Sequence, residues 1–422
     1  MTIEHTVRVL EPVHCPIAVK HPDGNGASLA MTMHDPALSS AAQNTRPGSL
    51  RELVRQFTPN WFTATMGTGI LALAINQFPA DIPGLHAVGR VVWLANILMF
   101  TGFSAFYAAR WIVFPSEARR IFGHSTMSMF FGAIPMGLAT IVNGFIVFGP
   151  SLWGPAAIGI AEWLWWVDVA LSLTCGVGVP FLMFTRQDHS IERMTAIWLL
   201  PIVAAEVAAA SAGLLVPYLV DPQAALRVLV IGYALWAYSV PLAMSMLVIL
   251  VLRLVLHKLP HRDMAASGWL SLGPIGTGAL GLLLLGAAAP KTFGEAGIPN
   301  VGAVAAGIGL IGGAVFWGYG VWWFVLAVLT TARYLREGLP FNIGWWGFTF
   351  PLGVYAVATL ALARQTRLDF LFVIGGCLVV SLGVLWIIVA YRTLRGALNR
   401  SLFFAPCLLS GAIPADFEAD AV

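Results

Sequence analysis

The sequence predicts an all-α membrane protein: ten transmembrane helices arranged as five helical hairpins around a central space. Three observations lead there. Of 422 residues, 58% are hydrophobic and only 10% charged, with a mean hydropathy of +0.81, whereas soluble domains carry about 25% charged residues. The apolar runs are continuous rather than alternating, which suits helices and not barrel strands. The basic residues cluster after every second run, which fixes the number of crossings as even.

The elements follow in chain order. Residues 1–56 are polar, with Pro, Gly, Ser and scattered charge, and read as a disordered cytoplasmic tail without a signal peptide. His5, His14, Cys15, His21 and His34 in this tail match no metal-ligand spacing. Ten spans follow, over 61–79, 86–114, 126–148, 155–185, 195–217, 223–256, 268–289, 299–332, 342–363 and 369–391. Several exceed the roughly 20 residues that a bilayer needs, so tilt or extension is expected. The transporter domain therefore covers 57–395, and 396–422 form a second cytoplasmic tail. Cys175, Cys377 and Cys407 are far apart and form no CxxC pair or disulfide framework.

Orientation comes from the 23 Lys and Arg residues. Thirteen follow even spans or lie in the C-terminal tail, five precede the first span, and only Arg90, Arg227, Lys291, Arg364 and Arg367 follow odd spans. The positive-inside rule then puts both termini in the cytoplasm.

An internal repeat is visible in the odd spans. Spans three, five, seven and nine each carry a proline near the cytoplasmic half: Pro135, Pro201, Pro274 and Pro351. Span one has Met66-Gly67-Thr68-Gly69 instead, echoed in span seven by Ile275-Gly276-Thr277-Gly278. Proline inside a helix removes a backbone hydrogen bond and bends the axis. In a membrane this is tolerated where protein or a watery cavity satisfies the freed groups. Five hairpins with similarly bent odd helices would enclose a space.

Phe57-Thr58-Pro59-Asn60-Trp61-Phe62, then Met66-Gly67-Thr68-Gly69-Ile70, and Trp345-Trp346-Gly347-Phe348-Thr349-Phe350-Pro351 resemble the tellurite-resistance/dicarboxylate transporter family. That family includes tellurite-resistance proteins, malate permeases, sulfite exporters and slow anion channels. The resemblance covers roughly Phe57 to Arg395. It implies that odd helices line a central pore in each protomer, that even helices surround them, and that protomers form trimers. It also implies a phenylalanine plug in the ninth helix, carried over here to Phe350, with Phe348 two positions away as the other candidate.

The chemistry expected of the pore is sparse. The odd spans hold almost no basic residue, so an anion would be received by helix ends freed at the proline breaks. Gly67, Gly69, Gly132, Gly273, Gly276 and Gly353, with the four prolines, are candidates for pore lining or helix breaks, close helix packing being the other reading. Glu206 in span five is a candidate proton carrier or a bridge between helices. Asp168 in span four is expected to make a structural hydrogen bond or ion pair, and Glu162 to sit in an interfacial aromatic belt. Arg364 and Arg367 at the outer end of span nine are candidates for drawing anions to the mouth.

No enzyme motif, cofactor fingerprint, metal site or nucleic-acid surface is present in the sequence. The expected function is anion transport across a plasma membrane. The resemblance implies uptake or exchange of a C4-dicarboxylate such as malate first, with sulfite efflux or a gated channel for small inorganic anions as the alternative.

Overall fold

The computed structural model describes residues 48–411, whose helices are joined by turns and short irregular links. His5, His14, Cys15, His21 and His34 lie outside the described residues. The segment just before the first span is folded: Ser49 caps the short helix Leu50–Gln56 by accepting from the Glu52 N–H, and Arg55 pairs with Glu117 at 2.6 Å.

Ten long elements follow, and their bounds lie close to the sequence expectation. They are α1 (Thr63–Asn76), α2 (Leu85–Val113), α3 (Ala133–Val147), α4 (Ala156–Thr185), α5 (Leu200–Leu215), α6 (Pro222–His257), α7 (Leu272–Glu295), α8 (Pro299–Glu337), α9 (Thr349–Thr366) and α10 (Asp369–Leu398). Nine of these, four of them counted with their 3₁₀ extensions, are long and apolar enough to cross a bilayer. The remaining one is α1, whose 14 residues are diluted by Thr and Gly. It is buried along nearly its whole length, so protein rather than lipid surrounds it. Local chemistry sets the ends. Asp221 accepts from the N–H groups of Gln223 and Ala224 and is followed by Pro222, which together start α6. Gly297, at φ +81°, turns the three-residue link from α7 to α8.

The odd helices make a closed ring: α1 packs on α3, α3 on α5, α5 on α7, α7 on α9, and α9 returns to α1. Each even helix packs against its own hairpin partner and the next odd helix, so α2 bridges α1 and α3, and α10 bridges α9 and α1. The windows of the odd spans are 72% to 94% buried, against 11% to 33% for the even spans. The even helices turn residues such as Leu98, Ile112, Phe184, Val248 and Ile311 outward. Large apolar exposure of this kind is stable only against lipid.

Every odd helix starts as a 3₁₀ segment: Pro59–Phe62, Met127–Gly132, Ala196–Leu199, Arg262–Ser271 and Ile343–Phe348. This corrects the expected mid-helix breaks. Pro135, Pro274 and Pro351 are each the third α-helical residue and Pro201 the second. A proline there forfeits no helical hydrogen bond, because the first-turn N–H groups have no α partner anyway. The 3₁₀ turns occupy the neighbouring donors instead. The Ala133 N–H bonds Phe130 O and the Thr349 N–H bonds Trp346 O. Helix ends freed toward the centre are therefore absent at these junctions. The internal prolines are Pro180 in α4, Pro241 in α6 and Pro290 in α7.

His124 secures one of these entries. Its Nδ1 accepts from the N–H groups of Thr126 and Met127 at 3.2 and 3.1 Å, and burial pushes its pKa below the usual imidazole value. The last described segment is also anchored. The Arg110 guanidinium, fully buried, donates to Phe57 O at 2.6 Å and to Cys407 Sγ at 3.4 Å.

Candidate functional site

Inside the ring lies a cavity of about 250 Å³ to which all five odd helices contribute and no even helix does. Each helix presents one stripe at i, i+3, i+7 spacing, the repeat of a single helical face. The stripes are Ile70, Leu73 and Gln77 of α1; Thr140, Asn143 and Val147 of α3; Val207, Ala210 and Leu214 of α5; and Thr277, Leu280 and Leu284 of α7. The α9 wall is longer, with Phe350, Val354, Val357, Ala361, Arg364 and Gln365. Because all odd helices run the same way, the first residue of each stripe is at the 3₁₀ end and the last at the opposite end. Phe350 stands at the former and Arg364 at the latter, 14 residues or about 21 Å along α9.

The two phenylalanine candidates separate clearly. Phe350, the second residue of α9, lines the cavity. Phe348 ends the preceding 3₁₀ segment and packs edge-on against Trp269 and Trp345, at 5.8 and 5.7 Å between ring centroids, away from the cavity wall. The mouth candidates separate as well. Arg364 is on the wall and donates to Gln77 O at 2.7 Å. Arg367 is the exposed C-cap of α9, at φ +58°, and is not among the wall residues.

The glycines and prolines named from the sequence do not stand on the cavity wall. A Cβ on Gly67 would strike Thr349 and Trp346 of the α9 segment, and one on Gly353 would strike Ile70 of α1. Gly69 faces Thr140 and Asn96, Gly132 faces the Leu200 carbonyl and Pro201, and Gly276 faces the Tyr355 backbone. These are the points where neighbouring helices touch, so close packing is their work. Gly273 has nothing within 4 Å of such a Cβ.

Glu206 is fully buried on α5, one residue from the wall residue Val207. Its carboxyl meets the Thr277 hydroxyl, itself on the wall, and Ser239 Oγ of α6 at 3.3 Å. It therefore joins three helices. Both hydroxyls also reach a backbone carbonyl, Gly273 O at 2.8 Å and Ile202 O at 2.9 Å. A hydroxyl has one proton to give. With the hydroxyls turned to Glu206 a carboxylate is satisfied, and with them turned to the carbonyls a carboxylic acid can donate to Thr277. The same heavy-atom positions thus accommodate either form.

Asp168 departs from its expected pairing. It is fully buried, and neither carboxyl oxygen has a hydrogen-bond partner among the described residues, nor does Ser172 Oγ one turn on. In the same helix Trp163 and Trp166 face outward, as a belt requires, while Trp165 is buried and donates to Ala208 O at 2.9 Å.

Several wall groups escaped the sequence reading: Gln77, Thr140, Asn143, Thr277 and Gln365. Thr140 receives the Asn96 amide at 3.1 Å, and Asn143 Oδ1 is buried without a partner among the described residues. Asn143 carried a usable signal, being a lone amide inside the run Ile141-Val142-Asn143-Gly144. The threonines carried none, since a membrane helix readily satisfies a hydroxyl on its own backbone.

A ring of helices with a lipid-facing outer layer and an interior cavity that ends in one guanidinium defines a membrane protein for anion transport. The chain matches the SLAC1 voltage-dependent anion channel family over residues 56–394 and belongs to it. Among its relatives is a sulfite efflux pump of Trichophyton rubrum, 37% identical over 83% of this chain and 93% of that protein. A malic acid transport protein of Schizosaccharomyces pombe is 24% identical over 84% of this chain and 82% of that protein. An uncharacterized transporter of Methanocaldococcus jannaschii is 28% identical over 83% and 96%. The family is one of channels and transporters, not of enzymes.

Proposed function

We propose that this protein exports sulfite, as a small oxyanion, through the cavity inside the helix ring. This replaces malate as the leading substrate. Three relatives named for sulfite efflux stand at 36% to 37% identity, above the 24% of the one named for malic acid, and two more distant sulfite efflux pumps stand at 24% and 25%. The observation that carries the reading is the single positive charge on the wall of a largely apolar cavity. Its wall offers hydroxyls, amides and a single guanidinium, Arg364. A dicarboxylate would bring two separated charges, each costly to strip of water without its own partner. Hydrogensulfite brings one, which the Asn143 amide and the Arg364 guanidinium can receive in turn, the Thr140 and Thr277 hydroxyls being engaged with Gly137 O and with Glu206 or Gly273 O.

In this reading Phe350 is the plug at the 3₁₀ end and Arg364 the charge that draws the anion through to the other. Glu206, behind Thr277, holds a proton beside the pathway and couples anion movement to a pH gradient. The basic end of the ring faces the cytoplasm of a plasma membrane, with both termini there, and three protomers associate, each with its own pathway. Liposomes containing the purified protein test the substrate: release of trapped sulfite should be protein-dependent and should exceed release of trapped malate. Faster malate than sulfite release would reject the proposal and restore the dicarboxylate reading.

A further inference from the structure

At the basic end of the bundle, α6 and α8 lean on α7 rather than on each other and leave a groove between them. Its floor is the 3₁₀ segment Arg262–Ser271. The groove has two compartments. An open pocket of about 660 Å³ at the rim is lined by Lys258, His261, Arg262, Arg333, Tyr334 and Glu337, among others. Beneath it runs an apolar slot of about 230 Å³, walled by Leu250, Leu254, Ala265, Trp323, Leu326 and Ala327. Leu254, Leu259, Pro260 and Tyr334 border both, so the two are continuous.

The charges at the rim do not cancel. Arg333 is paired with Glu337 at 3.0 Å and His261 with Asp263 at 3.2 Å. Lys258 and Arg262 form no ion pair with a described carboxylate. Their heads are positioned by backbone carbonyls, Val255 O for Lys258 and Glu337 O for Arg262. Two positive charges thus remain for an outside anion. From Arg333 down to Trp323 is ten residues of α8, about 15 Å, which is the hydrocarbon depth of one leaflet. Both flanks of the groove are apolar and exposed, with Leu252, Val255 and Leu256 on α6 and Val325 and Leu329 on α8. The slot therefore opens among acyl chains, not into water.

We infer that this groove is a binding site for one anionic phospholipid of the leaflet at the basic end. Lys258 and Arg262 receive the phosphate and an acyl chain fills the slot. The lining also holds Thr195, Arg253, Ser267, Ser271 and Thr330, but most of the slot surface is apolar, and an acyl chain covers that surface better than water does. A zwitterionic lipid would gain the slot and lose the charge match. Each basic residue near an anionic headgroup is worth about a fivefold preference, so two give roughly 25-fold.

The test counts lipids retained by the purified full chain in native mass spectrometry, after exchange into phosphatidylglycerol or phosphatidylcholine. The parent should hold one phosphatidylglycerol with roughly 25-fold preference, and K258Q/R262Q should bind the two lipids nearly equally. A second variant, Ala327→Leu, narrows the slot and should weaken both lipids while leaving the melting temperature in detergent unchanged. Undiminished preference in K258Q/R262Q would overturn the assignment. Displacement of the lipid by millimolar inorganic phosphate would reassign the rim to a free anion. A change of oligomer mass in K258Q/R262Q, without lipid loss, would make the groove a contact between copies. Lipid counting does not depend on which anion is carried, so this inference and the sulfite reading fail separately.

Discussion

Replacing Phe350 with alanine tests the pathway most directly. In a closed core, removing a phenylalanine ring costs about 3–5 kcal/mol, part of it for a void on the order of 100 Å³. Phe350 already borders the 250 Å³ cavity on one face, so the contacts it can lose are fewer. About half the core cost, roughly 1.5–2.5 kcal/mol, is expected. The void then adds to the cavity at the end where it stops. Anion flux into liposomes, paired with a thermal melt, reads both consequences. Flux should rise about tenfold, which needs only about 1.4 kcal/mol off the barrier. Phe348→Ala is the contrast: it removes two edge-on aromatic contacts, with Trp269 and Trp345, from a packed site. That variant should lose the full 3–5 kcal/mol and gain no flux. If Phe350→Ala folds but conducts like the parent, or if Phe348→Ala is the one that leaks, the plug assignment fails.

Four further outcomes follow from the same geometry. Glu206→Gln keeps the bonds to Thr277 and Ser239 but carries no exchangeable charge, so transport should continue and lose its response to a pH gradient; a retained response would leave Glu206 a bridge between helices. Arg364→Gln should slow anion flux roughly tenfold at low ionic strength and much less at high salt, while Arg367→Gln, off the wall, should do little. A methyl at Gly132 meets the Leu200 backbone, so Gly132→Ala should cost about 1–3 kcal/mol, and Gly273→Ala, with open space around it, should not; equal melts would contradict the packing described. Reporters fused at Met1 and Val422 should both respond as cytoplasmic, and opposite responses would mean an odd number of crossings.

The ten elements were legible in the sequence because hydropathy and loop charge are local properties. The predicted span 155–185 folds as Ala156–Thr185 and 86–114 as Leu85–Val113. The errors fall where local cues mislead. Span seven runs on through Pro290 and Lys291 to Glu295, since a proline late in a helix bends it without ending it. The regular prolines of the odd spans were visible, but their meaning was not: they mark a change of winding at a helix entry rather than a break within it.

What the tertiary structure decided is which side of each helix faces the cavity. In a soluble protein a polar stripe would have shown that side. In this ring the odd helices are surrounded by protein and are apolar nearly all round, so no stripe distinguishes the face toward the cavity from the faces toward neighbours. Phe348 and Phe350 are equally aromatic in the sequence, as Arg364 and Arg367 are equally basic. Only the closure of α9 back onto α1 puts one member of each pair on the wall and turns the other away. Thr277 illustrates the same limit from the other side. Its hydroxyl is unremarkable in a chain of apolar residues, and becomes part of the site because α5 and α7 bring it against Glu206.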